Sequence, residues 1–307
     1  NVDWSGSGYY DSKTSDIAVG CYHLQLPQTY ATFEEASAAA AQYSDGFPAW
    51  IDGRYYVRVG AYLDSTSAQA AQASLGLTGA TVAGTSGAGI SVVKTGTNTV
   101  LFQFDSTSGL YLAVKPGRDD TVKAETYFRG YSYFGAFEYR RNGGDITVVN
   151  VLSMDDYLQG VIVQEMSPSW PLEALKAQTV CARSYAYGKL QAGKHQSQGF
   201  DLCNTTDCQA YVGIATASDN SRRAVEETSG VYLWYNGRVA DQAVYSSHNG
   251  GASESAVNVW GRDYPYLIGK IDPYEASVVD RISNYNWTVT YTAQELTELL
   301  QSKGYGN

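Results

Sequence analysis

The sequence reads as an α+β chain: a small β-α-β-β-α-β domain followed by a larger mixed α/β domain built around two central helices. Three observations predict this. The phrase Val19-Gly20-Cys21-Tyr22 returns as Val59-Gly60-Ala61-Tyr62, and each copy precedes an Ala-rich helical run. Strand-like runs follow one another from about residue 95 onward, and two helical periodicities then meet at Pro168. The expected division is a tail over residues 1–15, a first domain over 16–94 and a second over 95–307.

In the first domain, Thr32 to Glu35 and Thr66 to Gln69 are helix-start signals, ahead of helices over 36–43 and 70–75. Residues 47–51 and 55–62 read as strands around the turn Asp52-Gly53, and 81–83 as a last strand before Gly-rich 84–89. In the second domain, strands are expected over 100–104, 110–114, 136–140 and 146–152. Helices over 155–166 and 171–190 follow, then a loop-rich stretch over 193–213. Strands over 231–235 and 238–245 and a helix over 293–300 complete the pattern.

Composition bounds the function. Asp plus Glu outnumber Lys plus Arg by 31 to 21 in 307 residues, a formal charge of −10. Such a surface repels nucleic-acid phosphates and anionic lipid, so neither is expected as a partner. No stretch approaches the ~18 uninterrupted apolar residues of a membrane helix. The first residue is Asn1 rather than Met, which is compatible with a leader or anchor upstream. Tyrosine is abundant, 26 in all beside six Trp; aromatic faces suit the C–H faces of sugars and are equally ordinary strand and core material. Four cysteines, Cys21, Cys181, Cys203 and Cys208, are too few for a disulfide scaffold in a chain of this length.

The first central helix carries an acid where packing does not call for one. Ser153 and the acids after it offer capping oxygens. Leu158, Val161, Ile162 and Glu165 then fall at i, i+3, i+4 and i+7 on one helix face. Three apolar residues mark that face as the inward one, and a carboxylate in line with them needs a partner or a function. Pro168 disfavours a helical Ser167, which puts Glu165 in the last turn, beside the negative end of the helix dipole. Read from spacing alone, Glu165 is a functional acid or a glutamate at a frayed end pointing to water. In the second helix, Pro171 suits the first turn, and Leu172, Leu175, Thr179, Ala182 and Ala186 form the packing stripe.

Two family resemblances add to this. The repeat and the phrase YYVRVGAYLDSTSAQAAQASL resemble the SPOR domain family over residues 16–83, which implies binding of peptidoglycan glycan strands stripped of their peptides. The stretch DDYLQGVIVQEMSPSWPLEALKAQTVCARSYAY resembles the signature of the SpoIID/LytB family, named for stage II sporulation protein D. FDLCNTTDCQAYVG, AVEETSGVYLWYNGRVADQAVYSSHNGGASES and VWGRDYPYLIG match it as well, so the likeness covers most of 101–273. It implies a SpoIID-type domain and a lytic transglycosylase that cuts peptide-free peptidoglycan between MurNAc and GlcNAc. Glu165 matches the family's catalytic glutamate. It would act first as general acid on the glycosidic oxygen, then as base on the muramyl C6 hydroxyl, leaving a 1,6-anhydroMurNAc end without an obligatory second carboxylate.

Gln178 and Arg183 match polar positions of the motif; they could position glycan or orient Glu165, with structural hydrogen bonding as the other role. Tyr245-Ser246-Ser247-His248-Asn249-Gly250-Gly251 is in isolation a glycine turn whose amides can approach a ligand closely. Ser246 or Ser247 beside His248 does not form a hydrolase triad, because sequence neighbours rarely point at each other. The family match implies that Tyr245, Ser246, Ser247, Gly250, Gly251 and Glu254 line the cleft. Cys203 and Cys208 bracket a short loop, and a zinc site there would draw on His195 and His248. Zinc-binding members of the family have histidine among these positions, whereas Asp207 precedes the second cysteine here. A short-loop disulfide or two free thiols are the alternatives.

The resemblance thus implies peptidoglycan glycan strands as the substrate, no required cofactor beyond possible zinc, no cofactor nucleotide, and a location outside the cytoplasm, secreted or anchored at the cell wall. It also leaves a second role open. Some family members enhance an N-acetylmuramoyl-alanine amidase, so an amidase or another sporulation or wall-remodelling protein is a possible partner.

Overall fold

The computed structural model describes residues 2–4, 9–11, 18–94, 96–117, 123–142 and 145–305. Most of the expected tail lies outside the described residues; its described part is an antiparallel pair, β1 (Val2–Trp4) with β2 (Tyr9–Asp11). The chain divides into two units, residues 1–232 and 233–307.

The first unit opens with β3 (Tyr22–Tyr30), α1 (Phe33–Ala40), β4 (Gly46–Ile51), β5 (Arg54–Tyr62), α2 (Ser65–Ser74) and β6 (Thr81–Gly84), in the expected β-α-β-β-α-β order. Asp52 and Gly53 have φ of 42° and 93°, the backbone of a primed two-residue hairpin turn. Thr32 and Glu35 form the expected capping box on α1. The second helix starts earlier than expected, because the Asp64 carboxylate accepts from Ser67 N at 2.7 Å and so takes the capping role assigned to Thr66. The two echoed phrases become sheet neighbours, with Tyr22 opposite Tyr62. A Cβ on Gly20 would lie 2.1 Å from the Tyr62 carbonyl carbon, so this approach requires glycine.

The sheet extends past the expected boundary at 94/95. β7 (Ile90–Val93) and β8 (Val100–Asp105) complete the strand order β6-β3-β5-β4-β8-β7. β8 runs parallel to β4, with Trp50 opposite Phe104 and their rings stacked at 4.9 Å. Its place has a physical reason. Both helices pack on one face, over Leu24, Val57 and Val59. The other face carries Phe47, Ala49 and Val100 together with a buried polar network. Arg58 donates to Gln25 Oε1 at 3.1 and 2.8 Å and to Gln103 Oε1, while Gln103 Nε2 donates to Thr85 Oγ1 at 2.8 Å. β8 thus brings the oxygen that a buried guanidinium needs.

The same first unit continues with β9 (Leu112–Val114), the hairpin β10 (Thr126–Phe128) and β11 (Tyr131–Tyr133), β12 (Ala136–Asn142) and β13 (Asp145–Val151). Strands β13, β12 and β9 form a three-stranded antiparallel sheet in that order. α3 (Met154–Glu165), α4 (Leu172–Ala192) and α5 (Asp219–Glu227) follow. Leu158, Val161, Ile162, Leu175 and Ala186 are completely buried, so the two predicted stripes meet in one core with Tyr133 and Phe137. Gly160 lets α3 approach the 211–213 loop, since a Cβ there would sit 2.5 Å from the Tyr211 ring and 2.6 Å from Gly213 O.

The second unit holds β14 (Trp234–Tyr235), β15 (Arg238–Val239), α6 (Ala256–Trp260) and α7 (Ala293–Ser302). The expected strands over 231–235 and 238–245 shrink to a two-residue pair about the Asn236-Gly237 turn. Their ladder ends at the bond from Ala240 N to Leu233 O. Within this unit the segment from Gly251 to Ala256 runs back along Leu267 to Asp272 through backbone bonds of 2.8 to 2.9 Å.

His23 is fully buried in the polar network of the first sheet. Gly60 O can only accept, so His23 Nδ1 carries the hydrogen in the 2.8 Å contact between them and Nε2 faces Gln103 Nε2 as acceptor. Burial pushes its pKa from 6.5 down to about 4, with the Arg58 charge adding and the Gly60 carbonyl and Asp105 opposing. The folded state therefore holds fewer protons than the unfolded state between these values. Stability is fully present above about pH 6.5 and falls as pH drops toward 4, by roughly 3 kcal/mol for this group. Urea denaturation at pH 7 and pH 4.5 should register this loss, and His23→Gln should reduce the difference.

Candidate functional site

Glu165 is the last residue of α3, and Met166 turns extended at φ −137°, so the helix ends before Ser167, the residue that Pro168 disfavours in a helix. The helix begins at Ser153, whose hydroxyl accepts from Asp156 N at 3.2 Å. It is fixed laterally by the buried Leu158, Val161 and Ile162. The expected stripe is therefore present, and Glu165 extends it at the rim, half-buried. One turn into the helix, the Tyr157 hydroxyl donates to Gln209 Oε1 at 3.2 Å, and burial pushes this phenol well above its usual range.

Gln178 and Arg183 lie on α4 and are buried, Arg183 to 1% exposure. Arg183 Nη2 donates to Asp155 Oδ1 at 2.8 Å and to Val225 O at 3.4 Å; Nη1 donates to Val231 O at 3.2 Å and Thr228 Oγ1 at 3.4 Å. These bonds answer the structural of the two roles the sequence left open: Arg183 ties α4 to the start of α3 and the end of α5.

The loop after α4 gathers His195, Cys203, Asp207 and Cys208, whose donor atoms all lie within 4.8 Å of one another. Cys208 Sγ is 3.4 Å from His195 Nε2, and Asp207 Oδ2 is 3.6 Å from the same nitrogen. His195 Nδ1 meets Gln198 Oε1 at 2.9 Å, which turns Nε2 toward the thiols, and its ring stacks on Phe200. Neither Cys203 nor Cys208 is in a disulfide, so the disulfide alternative is not the arrangement observed. Burial opposes ionisation of Cys203, yet bonds to Thr205 and Cys208 outweigh it and bring the thiol down to about 7. The Lys194 ammonium holds Asp207 below the ordinary carboxylate range. Two sulfurs, an imidazole and a carboxylate form a four-donor set suited to zinc. The fourth donor differs from the sequence expectation: Asp207 belongs to the cluster, while His248 lies in the second unit with its ring against Tyr285.

Within that second unit, Tyr245, Ser246, Ser247 and Glu254 are exposed. Gly250 and Gly251 adopt φ of 71° and 98°, as a glycine turn requires. The turn amides expected to face a ligand are occupied from within. Asn249 N and Gly250 N donate to the two oxygens of Glu275 at 2.6 and 2.7 Å. The Asn249 side chain also turns inward: Nδ2 donates to Asp272 and Oδ1 accepts from Gly251 N. Glu254 accepts from Ser255 N and Asn258 Nδ2, holding the start of α6. Sequence reasoning missed Glu275 and discounted Asp207; a lone acid in a coil carries no periodic signal.

In the first unit, a cavity of about 850 Å³ lies over β12 and β13, lined among others by Tyr111, Phe128, Asn150, Tyr157, Phe200 and Cys203. Glu165 is not among its lining residues.

Residues 142–235 match the family model for stage II sporulation protein, SpoIID. Over this range the chain is similar to SpoIID. The matched range holds Glu165, Gln178, Arg183 and the His195–Cys208 cluster, and stops short of Tyr245. The chain is similar to the amidase enhancer of Bacillus subtilis, 42% identical over 139 residues, which is 45% of this chain and 17% of that protein. It is similar also to an uncharacterized protein of Brachyspira hyodysenteriae, 39% identical over 140 residues, 46% of this chain and 38% of the other. Stage II sporulation protein D of Bacillus subtilis is 27% identical over 168 residues, 50% of this chain and 48% of the other. The chain thus spans less than half the length of each of these relatives.

Replacing Arg183 by Leu removes a buried cation and strands the groups it holds. We expect Arg183→Leu to cost about 3–5 kcal/mol of stability, read as a lowered urea midpoint.

Proposed function

We propose that this chain is a peptidoglycan lytic transglycosylase acting on peptide-free glycan strands, with Glu165 as general acid and base. The observation that carries the reading is the position of Glu165. It is a half-buried carboxyl at the rim of an otherwise apolar, fully packed helix face, inside the region that matches SpoIID. Glu165 donates its proton to the oxygen between MurNAc and GlcNAc, and the GlcNAc departs with a free 4-hydroxyl. Positive charge develops at the muramyl C1 and ring oxygen. The C6 hydroxyl oxygen then bonds to C1 while the Glu165 carboxylate takes its proton, so the acid is restored and no water is consumed. The reaction runs on peptidoglycan outside the cytoplasm, and the six-stranded N-terminal sheet with its two helices serves as a SPOR-like holder of stripped glycan.

A second reading is favoured by one comparison, the 42% identity to a protein named amidase enhancer. On that reading the chain stimulates an N-acetylmuramoyl-alanine amidase and cuts nothing itself. Incubation with peptide-free glycan separates the two. Wild type should yield anhydro-muramyl ends by mass spectrometry, and Glu165→Gln should lose at least ~100-fold in rate. Reducing ends would mean hydrolysis instead. Absence of cleavage together with faster amidase turnover would replace the enzyme by the regulator.

The loop cluster binds zinc on this proposal, through His195, Cys203, Asp207 and Cys208. Four protein donors close the coordination sphere, so the ion would brace the 195–208 loop. Native mass spectrometry should find one zinc per chain, with affinity falling about tenfold or more in Asp207→Ala.

A further inference from the structure

The glycine turn of the second unit is built around an acid from elsewhere in the chain. Asn249 N and Gly250 N, consecutive amides, donate to Glu275 Oε2 and Oε1 at 2.6 and 2.7 Å. Consecutive backbone N–H groups that converge in this way form a nest for an anion, and here the anion is supplied by the protein. Glu275 is 6% exposed, so its charge is held by these amides rather than by water. Burial opposes its ionisation; the bonds from Asn249, Gly250 and Tyr285 outweigh that and keep the carboxyl below its ordinary range.

The rest of the turn is braced in the same direction. Asn249 Nδ2 reaches Asp272 Oδ2 at 3.0 Å, Asn249 Oδ1 accepts from Gly251 N at 2.8 Å, and Asp272 N donates to Gly251 O at 2.8 Å. All the inward-facing polar atoms of residues 249–251 named here are therefore engaged by 272–275 or by each other. The side chains just before them, Tyr245, Ser246 and Ser247, remain exposed. A turn whose two glycines have φ of 71° and 98° has wide backbone freedom when unrestrained. A doubly bonded carboxylate removes that freedom, and hydrogen bonds to a charged acceptor are about twice as strong as neutral ones.

We propose that Glu275 is a positioning residue: its carboxylate fixes the 249–251 turn, so that Tyr245, Ser246 and Ser247 present one preset surface to the glycan. The proposal rests on the glycan reading given above for its ligand, and on the geometry of this unit for its mechanism. Glu275 touches no substrate. It acts through the two amides, which a ligand then need not order at its own expense.

The test uses the full chain as wild type, Glu275→Gln and Glu275→Asp, with circular dichroism and thermal melts confirming that each is folded. Amide hydrogen exchange at Asn249 and Gly250 reads the turn, and retention on peptide-free glycan reads the surface. Glu275→Gln keeps one acceptor and turns an NH2 donor toward an amide N–H. We expect exchange at both amides to rise about tenfold or more, the fold-change for losing one bond to a charged group. Glycan retention should fall several-fold, and Glu275→Asp should restore part of each. Unchanged exchange in a folded Glu275→Gln overturns the proposal. Faster exchange with unchanged retention also overturns it, leaving Glu275 as a local brace only. If wild type itself retains no glycan, the glycan reading fails and the ligand half of the proposal falls with it. The exchange comparison would still decide whether Glu275 sets the turn.

Discussion

A guanidinium with 1% exposure at the centre of three helices is the constraint around which the SpoIID-like region is arranged. A buried cation tolerates few geometries, because every unmet N–H costs free energy. Arg183 meets the requirement at both Nη atoms, by drawing in the start of α3 through Asp155 and the C-terminal carbonyl and hydroxyl groups around α5, and leaves only Nε without a hydrogen bond. Asp155 in turn accepts from Ser229, so the beginning of α3 is held by one network and its flank by Leu158, Val161 and Ile162. With origin, azimuth and length of the helix fixed, the position of Glu165 at its far end follows.

Three of the buried charged side chains among the described residues are handled in three ways. Arg183 faces a carboxylate and backbone oxygens. Arg58 makes its direct bonds to the neutral amides of Gln25 and Gln103, with Asp105 acting only at a distance. Glu275 is met by backbone N–H groups. Neutral dipoles carry less charge than a counter-ion and impose stricter geometry, so the last two arrangements report local shape as much as local stability.

The sequence is most legible where the signal is periodic or local. The stripe of α3, the stop before Pro168, the capping box at Thr32 and the Asp52-Gly53 turn all rest on short-range rules, and the structure has each. The start of α2 lies upstream of the expected one because the Asp64 carboxylate, two residues before Thr66, caps an earlier amide, Ser67 N. β8 lies beyond the expected boundary yet belongs to the first sheet, and parallel pairing leaves no turn signature between its partners to mark this. The candidate sites divide along the same line. Glu165 stood out against an apolar face. Asp207 has no histidine's signature and joins the cluster by reach alone, and Glu275 lies in an irregular segment whose partners become visible only when the chain folds back on itself. Between strands expected over 238–245 and the observed pair at 238–239, alternation alone misled, since a ladder also needs a facing strand.

The parallel strand β8 has a consequence for how the first sheet comes into being. Ala49 must wait for Gln103 before that edge can close, so a pairing of high sequence separation completes an otherwise local hairpin array. Such closures come late, because loop entropy is spent before the contacts reward it. During synthesis the residues up to 94 would emerge with Arg58 lacking Gln103 as an acceptor. A chain interrupted there would be left with an exposed strand edge on β4 and a half-solvated cation behind it, a state prone to sticking to its neighbours. The first folding unit is therefore longer than its repeat.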